Sequence, residues 1–215
     1  MLETYLITHP IAIASLWFVL YTCDYYLTLW GSKLFRAQRF ILYEGSYEMT
    51  PEYQDDIDSM RKLSPHFVVW LLIGTAVLLA PLLPCPDVII VQTLYAILIG
   101  AMIVPEFVAL TKHTENIIFW RILGSKSPGV TGSVCYSHAI SYRRSALNTS
   151  CVGLVLLMAA ALGDSFILLG GGLLMLVMSF THYQLARQMM AMQEAAAAAD
   201  SEPQSAGAAS SEANK

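Results

Sequence analysis

The chain has 215 residues, of which 56% are hydrophobic and only 13% charged, with a formal net charge of −4. Soluble domains carry about 25% charged residues, so this composition, with a mean hydropathy of +0.54, reads as a membrane protein. It excludes a disordered chain and a disulfide scaffold, and it lacks the basic footprint of a nucleic-acid binder.

A bilayer core about 30 Å thick needs roughly 20 helical residues. Five stretches fit, at about 10–30, 66–83, 88–110, 146–162 and 165–185. The first is expected to be a retained transmembrane helix. Residues 1–10 contain no Lys or Arg, and Ile11 to Trp30 is too long for a signal-peptide core.

A loop at 31–65 follows. Phe40-Ile-Leu-Tyr-Glu and Tyr47-Glu-Met flank Gly45-Ser46, which suits a type II′ hairpin. Thr50 and Pro51 then read as the cap and first residue of a short helix. Glu52, Asp55 and Asp56 lie at its start, Arg61 and Lys62 at its end. That order complements the helix dipole. The acidic cluster Glu52, Asp55, Asp56 and Asp58 fits no EF-hand and reads as a solvated helix face.

Spans two and three form a hairpin through Pro84-Cys85-Pro86-Asp87, and spans four and five through Gly163-Asp164. Between the hairpins, a second loop covers 111–145. Span three is expected to continue as a helix through His113 to Leu123, with Gly124 as cap. The alternation across residues 130–141 predicts a strand that pairs with the first loop's hairpin. Residues 1–190 form the bundle. In 191–215, Ala195 to Ala199 are expected to extend the last helix, and the Ser-, Ala- and Glu-rich tail beyond is expected to be disordered.

All twelve Lys and Arg residues lie in the two loops or the tail, and none lies at either hairpin tip or in residues 1–10. The positive-inside rule therefore predicts N-terminus out and C-terminus in, in a cytoplasmic (inner) membrane. Trp30, Trp120 and Tyr183 are placed as inner-interface rings. Cys23, Cys85, Cys135 and Cys151 form no CxxC pair, so no zinc or redox motif is read.

The fold class is thus an all-α polytopic membrane bundle of five helices, one plus two hairpins, with small structured cytoplasmic loops. Ionisable groups within spans cost at least about 2.5–3.5 kcal/mol at the bilayer centre, and they are the first place to look for function. Asp24 lies in span one, and Gln92 and Glu106 in span three. His66, His113, Asn148 and His182 sit at span ends on the basic side.

Gln92, Glu106 and His113 are spaced by multiples of seven and share a helix face, which Asn116 continues. These eight residues are the candidate polar pocket. Pro105 removes a backbone hydrogen bond beside Glu106. A bis-histidine haem would need two of His66, His113 and His182; their spacing does not select it, so no cofactor or metal is assigned. Ala96 and Gly100, Ala159 to Ala161, and Gly170 to Gly172 predict close helix packing.

No GxSxG, HExxH, Walker or GxGxxG motif is present. The sequence favours a non-catalytic membrane subunit or scaffold that presents its loops to a membrane-protein partner, or a homo-oligomer. A small oligomeric transporter using Asp24 and Glu106 comes next, and then an inner-leaflet enzyme acting on a lipid or isoprenoid. Whether Asp24, Glu106 and His113 share one cavity decides between the first reading and the other two.

Overall fold

A computed structural model describes residues 2–82, 89–125 and 131–201. In chain order the elements are α1 (Leu2–Thr8), α2 (Pro10–Ala37), β1 (Ile41–Tyr43), α3 (Pro51–Asp58), α4 (Pro65–Leu79), α5 (Ile89–Leu123), β2 (Val134–Tyr136), α6 (His138–Gly163) and α7 (Phe166–Ser201). A 3-10 turn, Ala80–Leu82, extends α4. Five helices are long and apolar enough to cross a membrane, with 28, 18, 35, 26 and 33 residues.

The helix ends follow from local chemistry. Proline opens α2, α3 and α4, where its missing N–H is harmless. The Ser64 and Ser137 hydroxyls cap α4 and α6 by accepting from the Phe67 and Ile140 amides. Asp164 adopts a left-handed conformation at φ +47° and ends α6, so the second hairpin turns where expected. Its mate, Pro84 to Asp87, lies outside the described residues, as does the tail beyond Ser201. Helix α1 lacked a sequence signal. Its Glu3 carboxylate accepts from the Phe166 amide at 3.0 Å, at the start of α7.

The long helices form an open arc: α4 packs on α2, α2 on α5, α5 on α7, and α7 on α6. The α6–α7 turn and α1 define a tip end, and the segments that carry β1 and β2 a loop end. Near the tip end, Trp17 of α2 packs with Leu71 and Leu78 of α4 and with Tyr95 and Ile99 of α5. The Tyr95 hydroxyl donates to the Leu78 carbonyl at 2.7 Å. The predicted close packing is present between α5 and α7. A Cβ at Gly100 would fall 1.8 Å from the Ile167 carbonyl oxygen, and one at Gly170 would fall 1.9 Å from that of Ile97. Ser179 of α7 donates to the Ala146 carbonyl at 2.7 Å and joins α7 to α6.

Several expectations fail at the loop end. The first loop does not form a hairpin. Instead β1 pairs in parallel with β2, Ile41 opposite Val134 and Tyr43 opposite Tyr136. Gly45, at φ +92°, turns the chain, but the carbonyl of Ser46 meets the His138 ring at 3.1 Å, so residues 47–49 do not fold back onto β1. Of the strand expected across 130–141, residues 134–136 are extended, and from His138 the chain is already helical.

Helix α3 stops at Asp58, before Arg61 and Lys62. Its acidic face is not uniformly solvated either. Asp56 is 3% exposed, accepts from the Ser64 hydroxyl, and faces Arg61 at 2.6 Å and His66 at 3.5 Å. Trp120 is buried beside Phe35 rather than placed as an interface ring, whereas Trp30 is exposed and carries Arg121 5.2 Å above its ring.

A candidate functional cavity at the loop end

The concave side of the arc encloses a cavity of about 970 Å³. Its deeper wall is apolar: Trp17 of α2, Trp70, Ile73 and Val77 of α4, Met102 of α5, and Met175 and Met178 of α7. Its polar end gathers Asp24 and Thr28 of α2, Glu106, Lys112, His113 and Asn116 of α5, Arg144 and Asn148 of α6, and His182 of α7. The segment from Tyr43 to Tyr53 forms a roof over this end. Helices α4 and α6 stand at opposite ends of the arc, and both contribute residues to the lining.

Six of the eight residues predicted for a polar pocket therefore line one cavity: Asp24, Glu106, His113, Asn116, Asn148 and His182. Two do not. His66, in the first turn of α4, lies 3.5 Å from Asp56 and is not part of the cavity lining. Gln92 is exposed near the start of α5, where the neighbouring helices cover only the face that carries Tyr95, Ala96 and Ile99.

The centre of the polar end is a His–Asp pair. His113 Nε2 lies 3.2 Å from Asp24 Oδ1 and 3.1 Å from Thr28 Oγ1. The Thr28 hydroxyl donates its only proton to the Asp24 carbonyl at 3.0 Å. With the Thr28 proton so placed, Thr28 Oγ1 accepts from His113 Nε2 when that nitrogen carries the proton, while Asp24 Oδ1 makes no hydrogen bond among the described residues. The remaining nitrogen, Nδ1, has no hydrogen-bond partner among the described residues. A neutral imidazole held this way carries its free lone pair on Nδ1.

Glu106 makes no hydrogen bond or ion pair among the described residues, and its Oε2 is sealed from water. A buried carboxylate without donors is costly. Pro105 precedes it and, having no N–H, leaves the Ala101 carbonyl without its helical donor on the same cavity wall. Asp24 and Glu106 lie within electrostatic range of each other. The Tyr21 and Tyr53 hydroxyls bridge from α2 to α3 at 2.6 Å.

The roof adds residues that the sequence did not single out. Glu48 lines the cavity within electrostatic range of His113 and Asp24. Its carboxylate accepts from the Thr50 amide at 2.8 Å. Burial raises its carboxyl above the ordinary range; the Thr50 amide and the His113 charge oppose that shift, and the Asp24 charge adds to it. The roof is fastened to α6 by the Tyr142 hydroxyl, which donates to the Met49 carbonyl at 2.5 Å, and by His138 at Ser46. Serine and histidine also meet across α6 and α7, with Ser145 Oγ 3.0 Å from His182 Nδ1.

Among the described residues, no three of His, Cys, Asp and Glu converge closely enough to hold a metal ion. The arrangement offers proton transfer at His113, carboxylate acceptors at Asp24 and Glu106, and an apolar wall next to both. No family model matches the chain, and neither a curated protein nor a solved structure matches it.

Proposed function

We propose that this chain is a multi-pass membrane protein that admits a lipid-like amphiphile sideways from the bilayer. The molecule's apolar part lies along Trp70, Ile73, Val77, Met175 and Met178. Its polar end meets His113, where Nδ1 acts as the acid or base and Asp24 orients the ring. The observation that carries this reading is the cavity that joins an apolar wall to the Asp24–His113–Glu106 end and is lined from both α4 and α6, the two ends of the arc.

The packed tip half argues against a pathway through one protomer. Trp17, Leu71, Leu78, Tyr95 and Ile99 fill the space that a channel would need. With its carboxylates and histidine in one cavity, the lipid-handling reading moves ahead of the scaffold and the transporter. The loop end, which carries the basic residues, faces the cytoplasm in this reading, as the positive-inside rule supports.

The test is purification in mild detergent, followed by extraction and mass spectrometry of bound amphiphiles. The wild type is expected to retain a stoichiometric amphiphile. Asp24→Asn and His113→Ala are expected to lose it or to accumulate an unreacted form. A wild type that carries nothing above the detergent background overturns the reading.

A further inference from the structure

Charge of both signs meets in the cavity wall without being matched internally. On one side, Asp24 Oδ1 lies 3.2 Å from His113 Nε2 but accepts no hydrogen bond among the described residues, and Glu106 has no donor among them either. On the other, Lys112 and the exposed Arg144 line the same cavity from α5 and α6; neither makes a salt bridge or hydrogen bond with a described residue, and Glu115, one turn along α5 in the same lining, is the acidic group within electrostatic range of Lys112. Asn148 stands beside Arg144 on the α6 side, one turn further along the helix. Lys112 lies within electrostatic range of His182 on α7.

Carboxylates short of donors require N–H or O–H groups, since an unpaired buried acceptor bears its full desolvation cost. Cations short of acceptors suit a phosphate, which accepts charge-assisted hydrogen bonds from Arg and Lys. A molecule that satisfies both carries a donor-rich cation and a phosphate, and the apolar wall asks for a hydrocarbon tail.

We infer that the amphiphile is a zwitterionic phospholipid with a primary amine: its phosphate sits on Lys112 and Arg144, and its ammonium on Glu106 and Asp24. This inference rests on the amphiphile reading above and names the substrate class for it. A quaternary ammonium fits less well. It has no N–H to give, although Trp17, Tyr21 and Tyr53 in the same wall would attract its charge. A purely anionic headgroup would satisfy the two cations and leave both carboxylates unpaired.

Native mass spectrometry of the full chain, incubated with equal amounts of phosphatidylethanolamine, phosphatidylcholine and phosphatidylglycerol, tests this directly. Phosphatidylethanolamine is expected to bind about tenfold more than either of the others, the ratio that one additional charge-assisted hydrogen bond produces. Glu106→Gln is expected to abolish that preference while retaining lipid. Lys112→Gln with Arg144→Gln is expected to weaken all three lipids about tenfold or more. Arg143→Gln, the same charge change at a residue outside the cavity lining, is expected to change nothing.

Soluble glycerophosphoethanolamine is expected not to compete, because it lacks the tail. Lipid bound without preference, or phosphatidylglycerol preferred, overturns this inference and leaves the amphiphile reading standing. Failure to bind any lipid overturns both. Equal competition by the soluble headgroup also refutes the inference, since the apolar wall would then contribute nothing.

Discussion

Gly100 and Gly170 set how closely α5 and α7 approach, and α5 carries both Glu106 and His113. A Cβ at Gly100 would lie 1.8 Å from the Ile167 carbonyl oxygen. Ordinary carbon–oxygen contacts in helix interfaces are about 3.3 Å or longer, so the obstacle is about 1.5 Å of overlap with backbone rather than a movable side chain. The helices must separate or tilt, which removes dispersion contacts along the interface. Overpacking of this kind costs typically about 1–3 kcal/mol, and a rigid backbone obstacle places Gly100→Ala at the upper end. For a chain of this size about 3 kcal/mol lowers the Tm by roughly 6–12 °C.

The assay is thermal unfolding in detergent, read by the loss of monodisperse protein. Gly163→Ala is the control, because a Cβ there meets nothing within 4 Å. It is expected to be neutral or slightly stabilising, since Ala favours helix over Gly. Equal melting of Gly100→Ala and the wild type would refute the reasoning, because it would mean that the two helices are not in contact at this point.

Two further outcomes are expected. Asp56→Ala removes the acceptor of the fully buried Ser64 hydroxyl, which also caps α4, and should cost about 2–3 kcal/mol by chemical or thermal unfolding; Arg61 adds little because it is half exposed, and a cost equal to that of Asp55→Ala would refute the assignment. Burial raises the Glu48 carboxyl above its ordinary value of 4.5, so the folded roof favours the protonated form. That stabilisation is complete below the ordinary value and is lost as pH rises through the raised one. Hydrogen exchange in residues 43–53 should therefore quicken across that interval and do so less in Glu48→Gln, with His113 and Asp24 as the ionisable groups that face it. Identical profiles for the two proteins would rule Glu48 out as the cause.

The five long helices were legible because a shortage of charge over about 20 residues has few other solutions. The Gly163-Asp164 break was legible because the left-handed turn it needs is local. Asp24 and Glu106 were found as costly groups within spans and His113 as a span-end group on the face of Glu106, and the arc brings all three to one cavity. What escaped depends on partners distant in sequence. Glu48 reaches the cavity only because Tyr142 and His138 hold its segment down. Ile41 to Tyr43 alone looked like half of a hairpin, but its partner is Val134 to Tyr136. His66 sits at a helix end like the other histidines, and nothing local announces that Asp56 is buried beside it. Gln92 keeps the heptad spacing, yet the helices around it cover a different face.

The parallel pairing of β1 with β2 also bears on the order of assembly. Parallel strands need a long crossover, and here it includes α3, α4 and all of α5. Synthesis proceeds from the N-terminus, so the roof cannot be fastened until the chain has grown past β2 and Tyr142 of α6 has emerged. Until that moment Asp24, Glu106 and His113 lack the cover that the segment from Tyr43 to Tyr53 gives them at the loop end. Fastening of the roof would thus follow the synthesis of α2, α4 and α5 rather than precede it, and only the rest of α6 and α7 would remain to complete the cavity wall.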